Sequence, residues 1–220
     1  MIAPDFRGFG PDAPLAPAHP ALTLDDLAAD IDALLEALGI AEAVIAGLSM
    51  GGYVAFALRR RSPERFTRLV LADTRAEADS PEGREARLKM IELVKGSGPA
   101  AVADQMIPKL LGTTTLQTRP EVAATVRRMI ESASVGAIAA AVQAMLTRPD
   151  SSADLERISW PALVVVGEED SITPVADAES MGRRLPRSRV VVLPAAGHLS
   201  NLETPDAFSK ALEDFLLSSM

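Results

Sequence analysis

Residues 44–53 read Val-Ile-Ala-Gly-Leu-Ser-Met-Gly-Gly-Tyr, and this stretch constrains the chain more than any other. An apolar run ends at Gly47, Ser49 sits between Gly47 and Gly51, and a helix-forming segment follows. A strand that turns sharply into a helix forces the corner residue into a strained backbone conformation. Side chains two positions away on either side would collide with such a turn, which accounts for glycine at 47 and 51. The strain lifts the Ser49 hydroxyl to the strand tip, where a base can reach it. The following helix aims its free N–H groups and positive end at the same place, which suits an anion forming there.

The 220 residues are ample for one core. Aromatics make up only 4%, so alanine and leucine must fill the interior, as in helices packed on a sheet. A net charge of −8 argues against nucleic acid and against anionic membrane surfaces. The chain has no cysteine, which excludes disulfides, a thiol nucleophile and a thiolate metal site, and fits a cytoplasmic setting. With two histidines, His19 and His198, a multi-histidine metal centre is excluded. No apolar run is long enough to span a bilayer as a helix.

Along the chain, Met1–Asp5 reads as the end of a strand. Residues 6–20 form a proline-rich loop that carries His19, best read as a solvated loop histidine. Thr23 is placed to cap a helix whose first turn holds Asp25 and Asp26, and Gly39 is placed to stop it. Strands are expected at 43–47, 68–72, 160–167 and 189–193, and helices at 52–61, 174–185 and 205–217. The segment 75–150 has no convincing strand. It reads as a helical insertion, broken at Gly96-Ser97-Gly98-Pro99, at Gly112 and at Arg119-Pro120, with Met90, Met106, Met129 and Met145 scattered through it. The resulting domain plan is a first core part at 1–74, a helical cap at 75–150 and a second core part at 151–220. Strands alternating with helices predict a parallel sheet.

In such a sheet the site lies at the carboxyl ends of the strands. Ser49, Asp170 and His198 each follow a predicted strand, so all three should meet at one rim. Serine needs a base with a pKa near 7, and His198 is the candidate outside the proline loop. The base needs a carboxylate to fix its tautomer. Asp170 is the preferred partner; Asp73, at the tip of the adjacent strand, is the alternative, with Glu168 and Glu169 as neighbours. Glu203 reads as an ordinary helix-dipole partner.

Four segments now carry a family resemblance: Ala3-Pro4-Asp5-Phe6-Arg7-Gly8-Phe9-Gly10, Gly47-Leu48-Ser49-Met50-Gly51-Gly52, Gly167-Glu168-Glu169-Asp170-Ser171-Ile172-Thr173-Pro174, and Gly197-His198 with Asn201-Leu202-Glu203-Thr204-Pro205. The chain resembles the α/β-hydrolase superfamily, in the branch of small esterases, lactonases and perhydrolase-like enzymes with a helical cap. The resemblance implies Ser49 as nucleophile, Asp170 as acid, His198 as base and the Met50 N–H as one oxyanion donor. It implies no cofactor, and no metal site is expected, on the cysteine and histidine counts alone. A serine at the elbow argues against the dehalogenases and epoxide hydrolases of this fold, which carry Asp there.

The resemblance also implies strands before residue 3, one of them bearing a loop that supplies a second oxyanion N–H. The chain therefore reads as N-terminally truncated. The expected adjustment is that the strand at residues 1–5 pairs directly with the Ser49 strand, leaving edge surface that favours a homo-oligomer. The expected activity is cleavage of a small-molecule ester or lactone through an acyl-serine. A non-catalytic binding module on the same fold is the alternative.

Overall fold

A computed structural model describes residues 1–11, 13 and 21–218; His19 lies outside the described residues. Four parallel strands form one sheet in the order β1 (Ala43–Leu48), β2 (Phe66–Ala72), β3 (Ala162–Gly167) and β4 (Ser188–Leu193). Val and Leu fill the central strands β2 and β3, which are largely buried on both faces, whereas the edge strands β1 and β4 expose Val44 and Val192. Alternation along the strands sorts the core into two layers. Leu69, Leu71, Val164 and Val166 pack with α1 (Leu24–Ala37), α2 (Met50–Arg61) and α7 (Val175–Arg184). Val70, Ala72, Leu163 and Val165 pack on the other face with Phe215 of α9 (Pro205–Leu217).

The helix boundaries follow from local chemistry. The Thr23 hydroxyl accepts the Asp26 N–H while the Asp26 carboxylate accepts the Thr23 N–H, a complete capping box at the start of α1. At its end, Gly39 N–H donates to the Glu36 carbonyl and Ile40 N–H to that of Leu35, the paired bonds of a Schellman stop.

Between β2 and β3 the described chain forms α3 (Pro81–Leu110), α4 (Thr113–Thr118), α5 (Pro120–Ser132) and α6 (Val135–Leu146). The expected breaks fall at Gly98, Gly112 and Arg119. A further break at Ala133–Ser134 carries no glycine or proline; Ser134 caps α6 by accepting the Ala137 N–H. This helical segment has its own small core of Ala103, Ile107, Leu111, Val122 and Val126, against which Leu199 and Leu202 pack. The scattered methionines share no common role: Met145 packs on the main core, and Met129 is 59% exposed.

One expectation fails. Residues 1–5 form no strand and do not pair with β1; they are irregular and exposed, with Met1 and Ile2 facing solvent. Pro4 has no N–H to give a ladder, and an isolated strand end gains nothing without a neighbour. The chain joins the fold just after, where Phe6 packs on the main core and Arg7 pairs with Asp30 of α1. Among the described residues, β1 and β4 are the sheet's edges. No single helix among them is long and apolar enough to cross a membrane.

Two glycines in α3 should respond oppositely to alanine. Gly98 has φ 76° and ψ 179°, a region open essentially to glycine, whereas Gly96 is helical with open space around its α-carbon. Gly98→Ala is expected to destabilise by about 1–3 kcal/mol, and Gly96→Ala to stabilise by about 0.5–1 kcal/mol. Denaturant midpoints measured at constant m-value check both signs.

Candidate active site

Ser49 stands at the junction of β1 and α2 with φ 51° and ψ −115°. Its N–H donates to the Ala72 carbonyl at 2.9 Å, and its own carbonyl accepts from Gly52 N–H at 2.9 Å and Thr74 Oγ1 at 2.8 Å. These bonds hold the corner on both sides. Gly47 is required because a Cβ there would strike the Gly51 backbone. The second steric requirement lies at Gly52 and not at Gly51. A Cβ on Gly52 would sit 2.5 Å from Thr74 Oγ1, whereas one on Gly51 would meet open space. Met50 opens α2, so its N–H belongs to the first turn, where no partner exists within the helix.

His198 lies on the loop after β4 and is only 2% exposed. Its Nε2 is 2.8 Å from Ser49 Oγ, and its Nδ1 is 2.8 Å from Asp170 Oδ2. Asp170, on the loop after β3, accepts Ile172 N–H at 2.8 Å and Thr173 N–H at 2.9 Å on Oδ1, and the Thr173 hydroxyl at 2.6 Å on Oδ2. Burial alone would raise its pKa. The bonds from His198 and Thr173 outweigh that and hold it below the ordinary carboxylate value. An ionised carboxylate only accepts, so the imidazole proton sits on Nδ1 and Nε2 is free to accept from the Ser49 hydroxyl.

Asp73 does not reach the imidazole. Its backbone turns at φ 46°, and its buried carboxylate accepts Gly167 N–H at 2.9 Å, Ser200 N–H at 3.3 Å and Ser200 Oγ at 2.5 Å. It ties β2 to the end of β3 and to the turn α8 (Ser200–Glu203). Burial pushes its pKa up to about 7, against the pull of Ser200 and Gly167. Glu168 is exposed, while Glu169 accepts Thr114 N–H at 2.8 Å and Thr114 Oγ1 at 2.5 Å, away from the imidazole.

Two polar residues around the site escape sequence reasoning. Thr173 is signalled only by its spacing, three residues after Asp170, where an Asp side chain commonly accepts the i+3 N–H. Glu203 carries no sequence signal for what it does. It is 2% exposed and accepts N–H groups on both sides of His198. Among the described residues, no group of three His, Asp or Glu side chains is placed to hold a metal ion.

The structure thus joins a strained serine at a strand-to-helix corner through an imidazole to a carboxylate, at the carboxyl rim of a parallel sheet. The chain belongs to the α/β hydrolase fold family, whose profile matches residues 1–205. It is 32% identical to 3-oxoadipate enol-lactonase 2 of Acinetobacter baylyi over 97% of this chain and 77% of that protein. It is 32% identical to a pimeloyl-[acyl-carrier protein] methyl ester esterase of Neisseria meningitidis, over 98% of this chain and 82% of that one. A thermophilic esterase from Thermogutta terrifontis superposes with a TM-score of 0.91 at 42% identity, covering 96% of this chain and 77% of the other. All three relatives are hydrolytic enzymes, and this chain is an α/β-fold hydrolase.

The two buried carboxyls act on stability in separate pH windows. Asp73, raised from 3.8 to about 7, contributes stability that is present below pH 3.8 and lost as pH rises through about 7. Asp170, lowered from 3.8, contributes stability present above that value and lost only at more acid pH. Tm measured from pH 4 to 8 should therefore contain a declining component that Asp73→Asn removes. An identical slope in the variant would contradict it.

Proposed function

We propose that this hydrolase cleaves a carboxylic ester or lactone through an acyl-serine intermediate. Ser49 is the nucleophile, His198 the general base and acid, and Asp170 the carboxylate that orients the imidazole. The observation that carries the reading is the unbroken path from Ser49 Oγ to His198 Nε2 and from His198 Nδ1 to Asp170 Oδ2, each link 2.8 Å. Supporting it are an enol-lactonase and a methyl ester esterase among the relatives.

His198 Nε2 takes the hydroxyl proton as Ser49 Oγ bonds to the carbonyl carbon. The carbonyl π pair moves to oxygen, and the Met50 N–H at the start of α2 donates to that anion. The anion collapses, the C–O bond to the alcohol breaks, and the imidazolium returns its proton to the departing oxygen. In a lactone that alcohol stays tethered to the acyl group. Water then attacks the acyl-serine with His198 again as base, releasing the acid and restoring Ser49. Asp170 stabilises the imidazolium in both halves without taking its proton.

The insertion at 75–150 acts as a cap in this reading. Its α3–α4 joint reaches the loops that carry Asp170 and His198, so it can enclose what binds at the sheet's rim. Apolar residues in it favour a small, mostly apolar acyl or alcohol part.

A fluorophosphonate should label the folded protein once, at Ser49. Labelling should vanish in Ser49→Ala and slow severely in His198→Ala. Turnover of a p-nitrophenyl ester by Asp170→Asn is expected to drop on the order of 10⁴-fold. A folded wild-type sample that takes up no label would contradict the proposal and favour a binding module that does no chemistry.

A further inference from the structure

Glu203 is a buried carboxylate that the proposed chemistry leaves unused. Taking such a charge out of water is costly unless donors surround it. Its Oε1 accepts Gly197 N–H at 2.9 Å and Leu199 N–H at 3.2 Å, the residues immediately before and after His198. Its Oε2 accepts Gly112 N–H at 2.7 Å, at the joint between α3 and α4. A dipole role does not account for this. Glu203 ends the four-residue turn α8, and its carboxylate is spent on three donors outside that turn.

The same joint is stitched to the site at further points. Leu199 N–H donates to the Leu110 carbonyl at 3.2 Å, and Ser171 Oγ to the Lys109 carbonyl at 3.3 Å. Thr114 donates twice to Glu169, the neighbour of Asp170, and Arg119 donates to the Glu203 carbonyl. The backbones touch as well: a Cβ on Gly112 would lie 2.9 Å from Gly197 N and 2.5 Å from Glu169 Oε2. Segment 109–119 of the insertion is therefore bonded to both loops that bear the imidazole and its carboxylate.

We propose that Glu203 is a positioning residue that clamps the His198 loop to the α3–α4 joint, so that the helical insertion sets the attitude of the base. The proposal rests on His198 being the base of the reaction above. It makes the insertion part of the catalytic geometry and not merely a cover. Glu203→Gln keeps the shape but loses one acceptor, so an NH₂ group must face an N–H of Gly112 or of the His198 loop. Gly112→Ala pushes on the same contacts from the insertion's side.

The test combines active-site titration with steady-state kinetics. A fluorophosphonate counts competent Ser49 hydroxyls, and kcat is then expressed per titrated site. In Glu203→Gln and in Gly112→Ala, kcat per site is expected to fall about 10- to 100-fold, the scale of a misplaced catalytic group, with KM within about twofold of wild type. A merely structural role would lower the fraction of chains that titrate and leave kcat per site at the wild-type value; that result in either folded variant overturns the proposal. If the wild type itself takes no label at Ser49, the acyl-serine reading fails and this proposal falls with it. Labelled wild type with unaffected variants removes the clamp alone.

Discussion

A non-glycine residue at φ 51° is the constraint on which the site depends. Holding Ser49 there costs about 1–3 kcal/mol. The surrounding structure over-determines the corner. The β1–β2 ladder brings the Ala72 carbonyl under the Ser49 N–H, and Thr74 closes on the Ser49 carbonyl. Two close approaches, Gly47 to the Gly51 backbone and Gly52 to Thr74, leave no room to relax. The buried α2 side chains Tyr53, Val54, Phe56 and Leu58 anchor the helix that follows. The reward is a hydroxyl raised to the rim of the sheet beside the first N–H groups of a helix.

Two buried aspartates at that rim have been driven apart by their surroundings. Asp170 gains an imidazole, a hydroxyl and two backbone N–H groups and stays ionised. Asp73 sits deeper, its donors only partly offset burial, and it ties strand ends together. Opposite shifts of this kind separate the carboxylate that serves an imidazole from the one that serves the scaffold. The helical segment between β2 and β3 then meets the same rim where Gly112 and Thr114 donate to Glu203 and Glu169, so hydrogen bonds reach it from the sheet below and from the α3–α4 joint above.

Much of this was legible in the chain itself. Short valine-rich runs such as 162–167, too short for a helix and rich in β-branched residues, read as buried strands, and Thr23, Gly39 and Pro205 mark helix ends. Ser49, Asp170 and His198 could be placed at one rim because each follows a strand. The choice between Asp170 and Asp73 was not settled that way, since both follow strands; the direction in which each loop turns decides it. Gly51 and Gly52 are equally suggestive in one dimension, and only the packing against Thr74 shows which one space demands. Glu203 reads in sequence as a helix-dipole partner, because burial of a charge is a property of the assembled fold. Residues 1–5 carry a strand-like pattern, but a strand forms only where a neighbour offers a ladder.

Ser49, His198 and Asp170 are proposed to act as one chemical unit under the N-terminus of α2. A crystal structure of the protein after reaction with a phosphonate ester tests this most directly. The expected result is phosphorus bonded to Ser49 Oγ, one phosphoryl oxygen within hydrogen-bond reach of the Met50 N–H, and His198 Nε2 facing a remaining oxygen. An adduct on another residue, or a phosphoryl oxygen turned away from the start of α2, would contradict it.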